Sequence, residues 1–133
     1  MTDWRWLGEE LILAIHDEQL AEHGGPPGVR DTGLLQSALA RPRHLASYGT
    51  PDAFDLAAAY AYGIARNHPF IDGNKRTAFV AAATFLYDHG HDIDAADIDK
   101  VKVGVDLSAG SMNEGDFAAW LRAKSVPVKA DDA

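Results

Sequence analysis

Residues 52–89 read DAFDLAAAYAYGIARNHPFIDGNKRTAFVAAATFLYDH, and the fold turns on this stretch. After Asp55 its first half carries apolar side chains around nearly the whole circumference of a helix. From Ala78 to Tyr87 the second half does the same. A helix that is apolar on all sides belongs in the middle of a domain. The pattern therefore predicts two central helices, residues 52–67 and 75–89, packed together and joined by residues 68–74. Their many alanines let the two backbones approach closely.

Working outward, residues 8–23 form the first predicted helix, with Leu11, Ile12, Ile15 and Leu20 near one face. Gly24-Gly25-Pro26-Pro27-Gly28 stops it, since these residues cannot continue a helix. Asp31 reads as the N-cap of a short helix over 32–40, ended by Pro42, with 44–48 left undecided. Beyond the central pair, Asp94 or Asp97 caps a helix to Ala109, which Gly110 closes. Asn113 with Asp116 resembles a capping box and opens a helix over 114–124, its buried face being Phe117, Trp120 and Leu121. The expectation is an all-α bundle in a single domain over 1–124, with 125–133 as a frayed tail.

Composition agrees with this outline and excludes several functions. A chain of 133 residues fits one domain and buries a real core without staples. Cysteine is absent, which removes disulfides, thiolate zinc sites and a cysteine nucleophile. Twelve Lys and Arg against twenty Asp and Glu give a net charge of −8. So acidic a chain is a poor general binder of DNA or RNA, because that affinity comes from neutralising phosphates. A local basic spot remains able to bind a small phosphate ligand. The N-terminal residues carry no basic patch followed by an apolar run, and the longest apolar stretch, 77–87, is far short of a membrane span. The expected location is the cytoplasm.

Chemistry concentrates in the joint, His68-Pro69-Phe70-Ile71-Asp72-Gly73-Asn74-Lys75-Arg76. A helix starting near Asn74 leaves its first N–H groups unpaired at the positive end of its dipole, which makes a phosphate site. Gly73 lets the backbone approach a bulky anion. Lys75 and Arg76 add two full positive charges, Arg as a chelating fork and Lys as a point charge. Asp72 is placed to hold Mg²⁺ against the same phosphates. His68 is the group here that takes a proton near neutral pH. Phe70 reads as an apolar anchor for the loop. Together these parts suit phosphoryl or nucleotidyl transfer from a nucleoside triphosphate to a hydroxyl.

The string HPFIDGNKR resembles the motif of the Fic/Doc family, and more closely that of its death-on-curing (Doc) branch, the toxins of bacterial toxin–antitoxin pairs. Residues 23–42, HGGPPGVRDTGLLQSALARP, look like the segment between the first two helices of Doc-like proteins. The resemblance implies His68 as general base and Asp72 as metal ligand, with Gly73, Asn74, Lys75 and Arg76 holding the phosphates of ATP. AMP-transferring Fic enzymes typically carry glycine where Lys75 stands and a second arginine where Phe79 stands. Both departures match Doc, which implies transfer of the terminal phosphate of ATP, with Mg²⁺, to elongation factor Tu. It further implies a Phd-like antitoxin as inhibitor. AMP transfer to a protein hydroxyl is the alternative, and a catalytically silent binding module the third reading. Ser111-Met112-Asn113-Glu114-Gly115 comes close to the inhibitory motif of some Fic enzymes, but lacks one spacer and reads as a helix start.

Other residues carry blander expectations. His89-Gly90-His91-Asp92 reads as an exposed helix end rather than a metal site. Arg66 either reaches the phosphates or covers a helix end, and His16 is assigned no role.

Overall fold

The computed structural model describes residues 3–129. Among them are six helices and one small sheet: α1 (Glu9–His23), α2 (Thr32–Tyr48), α3 (Ala53–Asn67), α4 (Asn74–Asp88), β1 (His91–Ile93), α5 (Asp97–Ala109), α6 (Glu114–Lys124) and β2 (Ser125–Pro127). The fold class is all-α, as the sequence predicts.

α3 is the axis of the bundle. Leu56, Ala57, Ala58, Ala59, Tyr60, Ala61, Ile64 and Ala65 are all without solvent exposure. The small side chains of the alanines among them let α2, α4 and α6 pack around one helix. α2 comes close at Gly63, where a Cβ would stand 3.1 Å from both Cα and Cβ of Ala38. Asp52 and Asp55 close a capping box at the start of α3. Arg122 of α6 reaches the same corner, with Nη2 at 2.8 Å from Asp52 Oδ2. Partial burial pulls the Asp52 carboxyl upward, but the Asp55 amide and Arg122 outweigh it and hold it below its ordinary value.

α2 differs from its sequence reading. It does not end at Ala40; it runs through Pro42 to Tyr48. Proline costs a helix about 3 kcal/mol in the interior, because it removes one hydrogen bond and crowds the preceding turn. Here Leu35, Ala38 and Pro42 form one buried face against α3. That packing is a non-local gain that the local rule for proline does not contain.

The second difference is at the C-terminus. Ser125–Pro127, expected to fray, pairs antiparallel with β1, with His91 opposite Pro127 and Ile93 opposite Ser125. The bonds from Asp94 N to Lys124 O (2.8 Å) and from Val128 N to Gly90 O (3.0 Å) extend the pairing on both sides. Three-residue strands whose partners lie distant in sequence leave no local signature. The rest of the expected tail, 130–133, lies outside the described residues.

The ends of α5 and α6 follow the predicted scheme with one change. Ala96, not an aspartate, is the N-cap of α5, and Asp97 and Asp99 lie inside its first turn. There they still favour the helix through its dipole. Asn113 caps α6 by accepting from the Asp116 amide at 2.8 Å. Phe117 and Leu121 are fully buried and Trp120 partly so.

α1 buries Ile12 and Ile15 and half-buries Leu20, as expected, but its inward face is rotated away from Leu11. Ile12, Ile15, His16 and Gln19 are its buried residues, while Leu11 is 41% exposed. Two polar side chains thus sit where an apolar stripe was expected, and both point toward the joint between α3 and α4.

Candidate functional site

The joint is fixed from several sides before any side chain reaches solvent. α3 ends at His68, whose backbone is left-handed (φ 49°, ψ 56°). A non-glycine residue there carries strain of about 1–3 kcal/mol and needs surrounding structure to hold it. Residues 28–31 supply that support. Val29 bridges Phe70 in antiparallel fashion. Ile71 N donates to Gly28 O at 3.1 Å, and Arg30 N to Pro69 O at 2.7 Å. The Arg30 guanidinium covers the open end of α3, with Nε donating to His68 O at 2.7 Å and Nη2 to Asn67 O at 2.9 Å.

Phe70 is the buried anchor the sequence suggests, only 1% exposed. It stacks on His16 with ring centroids 3.8 Å apart and planes 8° from parallel. Asn74 closes the loop from the other side. Its Oδ1 accepts from Phe70 N and its Nδ2 donates to Phe70 O, both at 2.9 Å. The Asn74 side chain is therefore committed to the loop, and what it offers an anion is its backbone N–H.

The expected catalytic residues come together. His68, Asp72, Lys75 and Arg76, with Gly73 and Asn74, line one wall of a groove of about 670 Å³. Gly73 has φ 80° and acts as N-cap of α4 without a side-chain bond, so the first amides of the helix have no capping acceptor. Lys75 and Arg76 lie in the first turn, the electrostatically unfavourable end for cations. Among the described residues neither has an acidic partner. Amides, dipole and two unpaired cations all favour an anion at the same place. Across the groove stand Lys100, Val101, Gly104 and Val105 of α5, which motif reading alone did not bring to the site.

Asp72 is exposed, and its Oδ1 accepts from Gly73 N at 2.7 Å. No group of three potential metal ligands exists among the described residues. A lone carboxylate beside a helix start that favours anions would fit Mg²⁺ arriving with a nucleotide, because Mg²⁺ takes one or two carboxylates and fills its shell with phosphate oxygens and water. Asn74 Nδ2 stands 3.4 Å from Nδ1 of the His68 ring. An amide NH₂ only donates, so this contact suits an unprotonated Nδ1.

Three residues outside the motif contribute and were missed or undecided. Arg30 and His16 hold the loop as described. Gly25 (φ +122°) lies so close to Asp72 that a Cβ there would be 2.6 Å from Oδ2. A run of three glycines in the 24–28 turn exceeds what stopping a helix requires, and that surplus was the available signal. Arg66 donates to Ser108 O at 3.2 Å and so covers the end of α5 rather than entering the groove. His89 lies between Phe85 O (2.6 Å from Nδ1) and Arg5 N (3.1 Å from Nε2), and His91 packs on Phe54. Both are structural contacts.

The fold is a helical bundle that presents a histidine, a carboxylate and an uncapped cationic helix start in one groove. The Fic/DOC family model matches residues 6–86, more than half of the chain, and the protein belongs to that family. It is similar to Toxin Doc of Mycolicibacterium smegmatis, with 48% identity over 94 residues, 68% of this chain and 67% of the relative. It is also similar to Protein kinase doc of Escherichia phage P1, with 32% identity over 120 residues, 89% of this chain and 94% of the relative. No helix among the described residues is long and apolar enough to cross a membrane.

Proposed function

We propose that this protein is a Doc-type toxin that transfers the γ-phosphate of ATP to a hydroxyl of a protein, with elongation factor Tu as the substrate the resemblance implies. The observation that carries the reading is the convergence of His68, Asp72, Lys75 and Arg76 on one groove at the uncapped start of α4. The names of the two relatives, a toxin and a protein kinase, favour it over the other readings. So does Lys75 in place of glycine, with Phe79 where AMP-transferring relatives carry arginine.

The chain's own residues divide the work. The first amides of α4, Lys75 and Arg76 bind the polyphosphate and stabilise charge as it shifts toward the leaving group. His68 accepts the proton of the attacking hydroxyl as its oxygen bonds to the γ-phosphorus and ADP departs. Mg²⁺, when bound, neutralises phosphate charge, with Asp72 as its protein ligand. A cognate antitoxin of the Phd kind would be the partner that restrains such a toxin.

The test pairs γ-labelled with α-labelled ATP, in the presence of Mg²⁺ and purified elongation factor Tu, beside a His68→Ala control. Label from the γ position alone, lost in the control, is the expected result. Label from the α position alone replaces this reading with AMP transfer. No label from either nucleotide overturns elongation factor Tu as the substrate.

A further inference from the structure

His16 is a buried polar side chain that the proposed chemistry does not use. It is only 2% exposed and lies on α1, remote in sequence from the motif. Its Nε2 stands 2.7 Å from the backbone carbonyl of Asp72. A carbonyl only accepts, so Nε2 carries the proton and donates. The ring is held in place by its stack on Phe70. Its edge also underlies Gly73, where a Cβ would meet Cδ2 and Nε2 at 3.5 Å.

We propose that His16 is a positioning residue of the phosphate site, acting by locking the Asp72–Gly73 peptide plane. The inference rests on the phosphate-transfer reading above and deepens it. A trans peptide is planar, so its C=O and N–H point in opposite directions. With the carbonyl drawn inward to His16, the Gly73 N–H is turned outward, where it meets Asp72 Oδ1 at 2.7 Å. Gly73, at φ +80°, tolerates both orientations of the preceding peptide, because a peptide flip interconverts common turn types and glycine has no Cβ to oppose it. Within the loop, the flip is opposed by the bond from Gly73 N–H to Asp72 Oδ1, which is exposed to competition from water. A flipped peptide would turn the Asp72 carbonyl oxygen toward the start of α4 and set a partial negative charge where the phosphates belong. The donor on α1 excludes that state. This also accounts for a histidine in the core face of α1, where an aliphatic residue would pack as well and donate nothing.

The test uses the full chain with His16→Phe, which keeps the stack and removes the donor, and His16→Gln, which keeps a donor. Three quantities are read: the His16 ring ¹⁵N shifts, the Gly73 amide shift, and the dissociation constant for ATP with Mg²⁺. The expected result is an Nε2–H tautomer in the wild type, and a Gly73 amide shift displaced in His16→Phe. The same variant is expected to bind ATP about five- to tenfold more weakly, roughly the worth of one hydrogen bond, with recovery in His16→Gln. A wild-type ring protonated only at Nδ1 overturns the proposal, and that reading needs no variant to fold. So does a His16→Phe protein with an unchanged Gly73 amide and unchanged affinity. If wild-type protein binds no nucleotide, the phosphate-transfer reading fails, and the Gly73 amide shift still decides whether His16 locks the peptide.

Discussion

The side-chain amide of Asn74 bonds both backbone polar groups of Phe70, accepting from its N–H and donating to its C=O at 2.9 Å each. Phe70 and Asn74 are both nearly excluded from solvent, at 1% and 6% exposure. The bonds are thus protected from competition by water. They tie the first residue of α4 to the loop that carries His68 and Asp72.

Asn74→Ala leaves two buried backbone groups without partners, and an unsatisfied buried group costs about 1–3 kcal/mol. The expected loss is about 2–4 kcal/mol in urea unfolding. Asn74→Asp keeps the acceptor and loses the donor, so it falls between wild type and Asn74→Ala. Equal stability of all three proteins would mean that the loop does not depend on this amide.

Gly25→Ala tests the contact between the glycine turn and the carboxylate. The new methyl would overlap Asp72 Oδ2, at 2.6 Å, in a backbone region (φ +122°) that alanine rarely adopts. Stability should fall by about 1–3 kcal/mol, and Mg²⁺-dependent nucleotide binding should weaken as Asp72 is displaced. Gly24→Ala is the control. It carries similar backbone strain (φ +81°) with nothing within 4 Å of the new carbon, so it should lose stability without the change in Mg²⁺ dependence.

The motif and the two helices around it are local in sequence, and for that reason they were legible. The all-round apolar pattern placed α3 and α4, and HPFIDGNKR placed the groove residues between them. What escaped has non-local causes. α2 passes Pro42 because of its packing on α3, and β2 exists because of β1. Leu11 is exposed and His16 buried because the joint, not the apolar count of α1, decides which face turns inward. Asn74 is typical of phosphate loops by type, yet its amide is taken by Phe70, a fact of geometry that residue type does not encode.

Alkaline pH should destabilise the fold through Tyr60. Its side chain is fully buried, and burial pushes the phenol above its ordinary value of 10.0, despite the Leu7 amide that donates to its oxygen at 2.9 Å. Below that ordinary value both folded and unfolded states hold the proton, so the contribution is fully present. Above it the unfolded state ionises first, and stability is lost as pH rises toward the folded value. Urea midpoints at pH about 8 and about 11 should differ more in wild type than in Tyr60→Phe. The variant should start about 1 kcal/mol lower, because the buried Leu7 N–H loses its acceptor. A wild-type midpoint as insensitive to pH as that of the variant would remove Tyr60 from this account.

Arg30 presents the sharpest separation between binding and turnover. The hydrogen bonds of its guanidinium go to the carbonyls of His68 and Asn67. At that position it satisfies two orphan acceptors, places a cation at the negative end of α3, and holds His68 in its left-handed backbone. Arg30→Met keeps much of the apolar stem and removes all three effects. The expected outcome is a fall in kcat of about tenfold or more, since small misplacement of a base has large effects, with KM for ATP changed by less than about twofold. Arg30→Lys, with one point charge in place of a fork, should recover only part of the loss. A rise in KM with kcat unchanged would instead place Arg30 in nucleotide binding, and would require its guanidinium to leave the end of α3.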